Sequence, residues 1–190
     1  SYATPGGVTA EAAGFFMQAN SSMIGASEAI AVPADKPDRE FHHECEMAIV
    51  IGKRGRHVPV EKALDYVFGY ACLIDVTMRG KEERVMRKSY ETFCPVGPWI
   101  TTADEVGDPF GLKMQLWVNG QLRQHSTPGM MIVGIREAIA MSSAVTTLEP
   151  GDIIASGTMA GVGPLKPGDE VVIEIDRVGK MTLPVVAAKA

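Results

Sequence analysis

The chain has 190 residues, of which 46% are hydrophobic, 22% charged and 6% aromatic. This composition is typical of a globular protein and excludes the disordered and fibrous classes. The length allows a single domain over residues 1–190 with a full hydrophobic core. Lys and Arg number 18 against 23 Asp and Glu, for a formal net charge of −5. No basic run could neutralise several phosphates in a row, so we expect no nucleic-acid partner.

Neither membrane insertion nor secretion is indicated by the sequence. The longest apolar stretches, such as residues 47–51, are far shorter than the roughly 18 residues that a membrane-spanning helix needs. No Lys or Arg precedes Lys36 to form the basic region of a signal peptide. The chain begins with Ser1 rather than Met, which is typical of a processed or trimmed start. We therefore expect no membrane partner and a cytoplasmic location.

The three cysteines fit the same compartment. Their number is odd and no C-x-x-C spacing occurs, which argues against a disulfide framework and against a zinc site. Cys45 lies between Glu44 and Glu46, and neighbouring carboxylates raise the pKa of a thiol. A nucleophilic cysteine is therefore disfavoured.

The first half of the chain predicts few regular elements. Residues 1–40 are loop-rich. Residues 44–51 alternate and then become continuously apolar, which predicts a strand entering a buried sheet. Residues 60–66 have helical spacing, and residues 70–76 are again compatible with a strand. Residues 79–88 are rich in charge, the usual pattern of a solvated helix or loop.

The second half predicts mainly strands and tight turns. Asn119-Gly120 is a strong two-residue hairpin signal between alternating segments. Pro150-Gly151-Asp152 and Pro167-Gly168-Asp169 each precede a run of β-branched residues, so each turn is expected to feed a strand.

One segment carries the clearest helical pattern. Over residues 128–144, Ile132, Ile135 and Ile139 recur on one helical face, and Thr127 is the candidate N-cap. The fold class predicted from all segments is α+β and β-rich, with a mixed, curled sheet and one main helix.

Three carboxylates form a candidate metal site. Glu44 and Glu46 leave the same face of the predicted strand, about 6–7 Å apart. Such a pair is costly in an apolar strand unless a cation holds it; the alternative is an exposed strand end with both side chains solvated. Asp75 ends the next apolar run. Three hard oxygen ligands suit Mg²⁺, Mn²⁺ or Ca²⁺ better than Zn²⁺.

Other candidate residues surround this group. Lys88 could hold a substrate carboxylate or oxyanion near a metal, or could be a surface lysine in a charged run. The glycine-rich segment 156–163 has free backbone N–H groups that could cradle an anion, although such glycines also occur in ordinary hairpins. His42 would share the face of Glu44 and Glu46 by the period of a strand, as a supporting group rather than a base.

Taken together, these motifs resemble the fumarylacetoacetate hydrolase family. The resemblance covers residues 15–190. It rests on HECEMAIVIGK at 43–53, GY at 69–70, Asp75 with Arg79, KSYxTxCPxGPW at 88–99, WVNGxxRQ at 117–124 and LEPGDIIASGTxxGVG at 148–163. It implies the sheet roll of that family's C-terminal domain and, commonly, a homodimer.

The resemblance also implies residue roles. Glu44, Glu46 and Asp75 would bind a divalent ion, usually Mg²⁺, with Lys88 as the catalytic lysine. Thr92, Gly157 and Thr158 would contact the substrate, with Arg79 the next candidate to hold its carboxylate.

The implied substrate is a small 2-oxo acid, and the cation together with Lys88 would stabilise the enolate that develops when a bond to C3 breaks. We expect a Mg²⁺-dependent hydrolase of acylpyruvate-type 2,4-diketo acids. A decarboxylase or isomerase of a 2-oxo acid is the alternative within the family. A non-catalytic metal-binding β protein is the alternative from another class.

Two departures from the family pattern affect these expectations. The family's hydrolases carry a His and a Glu before an F-F-M-K-like motif to activate water, whereas here only Glu11 precedes Phe15-Phe16-Met17-Gln18. Residues 1–14 are therefore expected to be a remnant of a lid or N-terminal segment, or else water activation is absent. After Asp75, the pattern D-x-x-x-R-D-x-Q becomes DVTMRGKE, which places Glu82 where the family has Gln.

Overall fold

The computed structural model describes residues 14–188. The strands are β1 (Met23–Ile24), β2 (Ile30–Val32), β3 (Phe41–His43), β4 (Cys45–Ile51), β5 (Val67–Ile74), β6 (Thr77–Met78), β7 (Cys94–Thr102), β8 (Met114–Val118), β9 (Gln121–Ser126), β10 (Ile153–Ala155), β11 (Gly163–Leu165), β12 (Glu170–Ile175) and β13 (Gly179–Ala187). The α-helices are α1 (Arg84–Lys88), α2 (Ala103–Val106) and α3 (Ile135–Val145), and 3₁₀ turns cover Asn20–Ser22, Val60–Tyr66 and Pro128–Met130.

The strands form three sheets. Two sheets have five strands, in the orders β1-β7-β5-β4-β10 and β2-β13-β12-β8-β9, and a three-stranded sheet has the order β11-β3-β6. Among the described residues, β1 with β7 and β2 with β13 pair in parallel, and the other strand pairs are antiparallel. The prediction of a β-rich α+β fold with a mixed sheet and one main helix is confirmed.

Strand β4, which lies between β5 and β10, is buried along its whole length. Met47, Ile49 and Ile51 face the main core, which they share with residues of the other five-stranded sheet. Ala48 lies on the opposite face with Ala71 and Leu73, in a second and smaller apolar cluster. Alternation along the strand places Glu46 on the face of Ala48. A carboxylate therefore stands where the pattern of the sheet would place an apolar side chain.

The predicted turns are confirmed. Asn119 and Gly120 join β8 to β9 with positive φ values of 51° and 75°. Gly151 and Gly168 have φ values of 96° and 97° in the two Pro-Gly-Asp turns. In each turn the Asp carboxylate accepts the N–H of the residue three positions earlier, at 2.8 Å for Asp152 and 2.7 Å for Asp169. The two turns are thus the same local device.

The predicted helix at 128–144 is wrong in its first part. Pro128–Met130 forms a separate 3₁₀ turn, and α3 begins only at Ile135, with Gly134 at the N-cap position and no capping bond from Thr127. Ile132 is 55% exposed, whereas Ile135 and Ile139 are buried. The Gly129 N–H bonds to the Phe110 carbonyl instead of to a helical partner. This long-range bond and the glycine at 134 outweigh the apolar spacing.

Candidate metal centre

Three carboxylates converge at the ends of β4 and β5. Glu44 lies in the break between β3 and β4, Glu46 is in β4, and Asp75 directly follows β5. The backbone N–H of Asp75 donates to the Glu44 carbonyl at 2.9 Å, which brings the two strand ends together. One carboxylate oxygen from each residue lies within 4.8 Å of the others. Glu46 is buried and the side chain of Glu44 is only 14% exposed, so the alternative of a strand end with both glutamates solvated is wrong.

Lys88 belongs to this group and is not a surface lysine. Its ammonium lies 2.8 Å from Glu44 Oε2 and 2.5 Å from Asp75 Oδ2, and only 7% of its side chain is exposed. The short helix α1 ends at Lys88, so the charged segment 79–88 turns its last residue inward. The hydroxyl of Thr77 donates to the other oxygen of Glu44 at 3.1 Å. Both oxygens of Glu44 are thus held.

Burial dominates the electrostatics of the group. It raises the pKa of Glu46 well above its ordinary value, and the carboxylates of Asp75 and Glu44 raise that pKa further. Burial also raises the pKa of Asp75, to about 6, although the Lys88 ammonium opposes the shift. Burial lowers the pKa of Lys88, but the carboxylates of Asp75 and Glu44 outweigh it and the net shift is upward. Lys88 therefore stays protonated among three acidic groups.

The group fits a divalent cation. All three side chains offer hard carboxylate oxygens, and a single ammonium cannot balance three carboxylates. Asp75 Oδ1 is buried and has no hydrogen-bond partner among the residues that the structure describes. Buried polar atoms are nearly always paired in proteins, so an oxygen in this condition indicates a ligand position.

The segment after β10 closes one side of the site. The N–H of Gly157 donates to Glu46 Oε2 at 2.8 Å, and the Thr158 hydroxyl donates to the Cys45 carbonyl at 3.0 Å. Gly157 adopts a φ of 80°, and no atom would lie within 4 Å of a Cβ built on it. The structure therefore brings Gly157 and Thr158 to the carboxylates and leaves the space beside Gly157 open.

Other candidate residues make their hydrogen bonds and ion pairs elsewhere. Arg79 is exposed, and its N–H donates to the Glu40 carbonyl. Thr92, at a φ of 69°, accepts the Ala31 N–H at 2.8 Å. His42 contacts Glu40, at 3.0 Å, and not the metal-site carboxylates. Glu82 pairs with Arg39. None of these side chains has a hydrogen bond to the three carboxylates among the contacts of residues 14–188.

The segment before β1 covers Lys88. Gln18 Nε2 donates to the Lys88 carbonyl at 2.6 Å, and the ring of Phe16 lies 5.7 Å from the Lys88 ammonium. Glu11 and nearly all of the predicted lid remnant at 1–14 fall outside the described residues.

The sequence reasoning missed Thr77, Gln124 and this contact of Gln18. Gln124 is 1% exposed. Its Oε1 accepts the Cys45 N–H at 3.0 Å, and its Nε2 donates to the Thr158 hydroxyl at 2.8 Å. The only available signal was its place at the end of WVNGxxRQ, since nothing in the local pattern shows which sheet a strand residue reaches.

The cysteine thiols take no part in this arrangement. All three are free and buried. Burial raises the pKa of the Cys45 thiol, and it raises that of Cys72 and of Cys94 to about 12. An activated thiol needs the opposite shift.

The fold and the site together define a β-sheet protein with a buried carboxylate site for a divalent cation. The chain belongs to the fumarylacetoacetate (FAA) hydrolase C-terminal family, whose profile matches residues 4–186. Along residues 14–188, none of the helices is both long and apolar enough to cross a membrane.

Two enzymes are similar to this chain along most of its length. The chain is 49% identical over 170 residues to a maleylpyruvate hydrolase of Aquipseudomonas alcaligenes, covering 90% of this chain and 58% of the relative. It is 38% identical over 176 residues to the mitochondrial oxaloacetate tautomerase Fahd2a of Rattus norvegicus, covering 86% and 56%. The chain therefore spans less than two thirds of the length of both relatives.

A solved structure shows the same fold. A maleylpyruvate hydrolase from Sphingobium sp. SYK-6, in complex with manganese(II) and pyruvate, is 52% identical with a TM-score of 0.89. The match covers 93% of this chain and 65% of that one. A 5-carboxymethyl-2-hydroxymuconate delta-isomerase from Mycobacterium smegmatis is 38% identical with a TM-score of 0.86, covering 92% and 69%.

Proposed function

We propose that this protein is a divalent-cation-dependent enzyme that hydrolyses a C–C bond in an acylpyruvate-type 2,4-diketo acid. The observation that carries the proposal is the buried group of Glu44, Glu46, Asp75 and Lys88, in a chain about half identical to two maleylpyruvate hydrolases. Maleylpyruvate is itself a 2,4-diketo acid. Mg²⁺ is the proposed physiological cation, and Mn²⁺, present in the solved relative, or Ca²⁺ would suit the same oxygen ligands.

Each proposed role follows from the position of the residue. Glu44, Glu46 and Asp75 would hold the cation, which when bound supplies Lewis-acid stabilisation for negative charge on the substrate's oxygens. Lys88 is the proposed catalytic residue, because its ammonium is buried, charged and directed into the carboxylate group. It would stabilise the negative charge that develops on the substrate when the bond to C3 breaks.

The segment at 157–158 is the proposed site for the substrate's carboxylate. Gly157 borders open space, and its N–H is already directed toward Glu46. Thr158 supports the segment through its bond to Cys45. Arg79 and Thr92 remain proposed substrate contacts. In the structure the backbone N–H of Arg79 donates to the Glu40 carbonyl, and the Thr92 hydroxyl accepts the Ala31 N–H.

A second candidate function is isomerisation or decarboxylation of a 2-oxo acid. The similarity of the chain to an oxaloacetate tautomerase and to a 5-carboxymethyl-2-hydroxymuconate delta-isomerase favours it. These reactions need the same stabilised enolate but no attacking water. A pocket for a cation and an enolate serves both chemistries, so the products must decide between them.

Further parts of the proposal concern the whole protein. We propose that residues 1–190 act as a single catalytic domain in a cytoplasmic homodimer. The resemblance to the family supports the dimer, and light scattering of the purified protein would test it through a mass of twice 20.3 kDa.

The activity is tested by following the enol absorbance of a 2,4-diketo acid. We expect the absorbance to fall when Mg²⁺ or Mn²⁺ is present and to stay constant in EDTA. Pyruvate plus a carboxylic acid as products would indicate hydrolysis, and trapped CO₂ would indicate decarboxylation. A protein that binds Mn²⁺ yet converts no 2,4-diketo acid or oxaloacetate would support the non-catalytic alternative and overturn the proposal.

A further inference from the structure

Gln124 links the two chain segments on either side of Glu46. It belongs to β9, the edge strand of a sheet that contains none of the three carboxylates. Its side chain is almost fully buried and reaches the start of β4 and the segment after β10. A buried amide that satisfies partners from three parts of the chain is strongly constrained.

The hydrogen-bond partners fix the orientation of this amide. The Cys45 N–H can only donate, so it must face Oε1, at 3.0 Å. The Met159 carbonyl can only accept, so it must face Nε2, at 3.0 Å. Rotation of the amide by 180° would place a donor against a donor and an acceptor against an acceptor. His43 Nδ1, 2.8 Å from Oε1, must therefore be the protonated nitrogen of that ring.

The bonds close into a ring. The Cys45 N–H donates to Gln124, the Gln124 amide donates to the Thr158 hydroxyl, and that hydroxyl donates to the Cys45 carbonyl. Cys45 lies between two of the carboxylates, and Thr158 follows Gly157. The ring thus sets the distance between the strand that carries Glu46 and the segment that approaches it.

A close backbone contact strengthens the same link. Gly161 adopts a φ of 96°, and a Cβ built on it would lie 2.0 Å from the Arg123 carbonyl and 3.3 Å from Gln124 Cγ. The segment after Thr158 therefore passes directly against the backbone of β9. It is held at Gln124 by hydrogen bonds and at Gly161 by the absence of a side chain.

We infer that Gln124 is a positioning residue, which holds the segment 157–161 at the distance from β4 at which its backbone N–H groups meet the substrate's carboxylate. The substrate's carboxylate in this inference rests on the proposed function, whereas the ring of hydrogen bonds is seen in the structure itself. Among the described residues, the Gln124 side chain has no hydrogen bond to the three carboxylates. It acts through Thr158 and Gly157.

The test replaces Gln124 with Met, which keeps the length of the side chain and removes the hydrogen bonds of the amide. Ser143→Ala is the matched control, because Ser143 is equally buried and accepts the Val58 N–H at 2.9 Å in another part of the fold. Amide hydrogen exchange of residues 157–161 is measured without ligand. Binding of Mn²⁺ alone, and then of pyruvate to the Mn²⁺-loaded protein, is measured by calorimetry.

Gln124→Met is expected to speed exchange of these amides about tenfold or more and to weaken pyruvate binding about tenfold, with Mn²⁺ affinity within about threefold of the wild type. With a 2,4-diketo acid, KM should rise more than kcat falls. Ser143→Ala should lower thermal stability and leave these quantities unchanged. Equal exchange and equal pyruvate affinity in the two variants would overturn the inference.

Two further results keep the outcomes separate. If Gln124→Met does not fold, Thr158→Val breaks the same ring from a half-buried position and should give the same faster exchange. Where both single variants fold, the double variant should add little, because the ring is already open. A wild-type protein that binds neither Mn²⁺ nor pyruvate would refute the proposed function, while the exchange comparison would still decide the role of Gln124.

Discussion

Glu46 stands on a sheet face where its neighbours are Ala48 and Leu73. Desolvation and two nearby carboxylates oppose its ionisation, and the Gly157 N–H and Lys88 only partly compensate. A position with this much electrostatic cost contributes little to folding. Its use must come from what it binds.

Glu46→Gln should weaken Mn²⁺ binding by about tenfold or more while leaving the fold intact. The substitution removes one of three anionic ligands, but the amide oxygen can still accept the Gly157 N–H, and the repulsion with Asp75 disappears. Paramagnetic resonance titration with Mn²⁺ and thermal unfolding measure the two effects. The control is Glu149→Gln, because Glu149 is an exposed glutamate that pairs with Arg54. Unchanged Mn²⁺ affinity would remove Glu46 from the site.

Lys88→Met should lower kcat by about 10²- to 10³-fold without weakening Mn²⁺ binding. The ammonium lies against two proposed ligands, so its loss removes repulsion toward a cation while depriving the substrate of a positive partner. The metal-free variant should also be less stable, because Glu44 and Asp75 lose their shared cation. Steady-state kinetics with parallel Mn²⁺ titration separates the effects, and Lys81→Met, an exposed lysine of the same segment, is the control. A kcat equal to that of the wild type would contradict the assignment.

At the scale of elements, the segment after β10 contains two glycines with different constraints. Gly157 and Gly161 both have left-handed backbone conformations, but only Gly161 has backbone atoms where a side chain would be. The glycine at 157 leaves open space beside the carboxylates, and the glycine at 161 allows the backbone to pack closely against Arg123.

Gly161→Ala should therefore destabilise the protein more than Gly157→Ala. An alanine at Gly157 costs about 1–2 kcal/mol for its left-handed conformation, whereas at Gly161 the steric conflict with Arg123 adds about 1–3 kcal/mol. Gly157→Ala should instead raise KM, since its methyl group enters the open space beside Glu46. Denaturant unfolding and kinetics of both variants give the comparison. Equal losses of stability would show that the Arg123 contact relaxes freely.

The elements that the sequence predicted well are those decided by local chemistry. The hairpin at Asn119-Gly120 and the two Pro-Gly-Asp turns depend on residues within four positions of each other. The start of α3 was predicted wrongly because it is decided by Gly134 and by a bond from Gly129 to the distant Phe110. The same distinction holds in the site, where Glu44 and Glu46 were paired by strand spacing and Asp75 was marked by the apolar run that it ends. The role of Gln124 could not be predicted, because its partners are distant in the sequence: Cys45 is 79 residues away and His43 is 81 residues away.

At the scale of the whole molecule, a cation that binds only the folded state should stabilise the fold. At a free Mn²⁺ concentration 100 times Kd, the stabilisation is about 2.7 kcal/mol. For a chain of this size each kcal/mol shifts Tm by about 2–4 °C, so Tm should rise by about 5–11 °C. Calorimetric scans with Mn²⁺ and with EDTA measure the shift. Glu46→Gln should lose most of it, and an equal shift in that variant would place the stabilising ion elsewhere.

Because Cys45, Cys72 and Cys94 are buried, modification of their thiols can be used to monitor local unfolding. A thiol reagent needs an exposed, ionised sulfur. The folded protein provides neither, because all three thiols are buried and burial raises the pKa of each. Modification can therefore proceed only when the thiols become transiently exposed. The modification rate depends on how often this local unfolding occurs. Because Cys45 sits between Glu44 and Glu46, labelling at that position should slow when a cation is bound. Mass spectrometry of the labelled chain would then measure how fully the cation occupies the site, without any substrate.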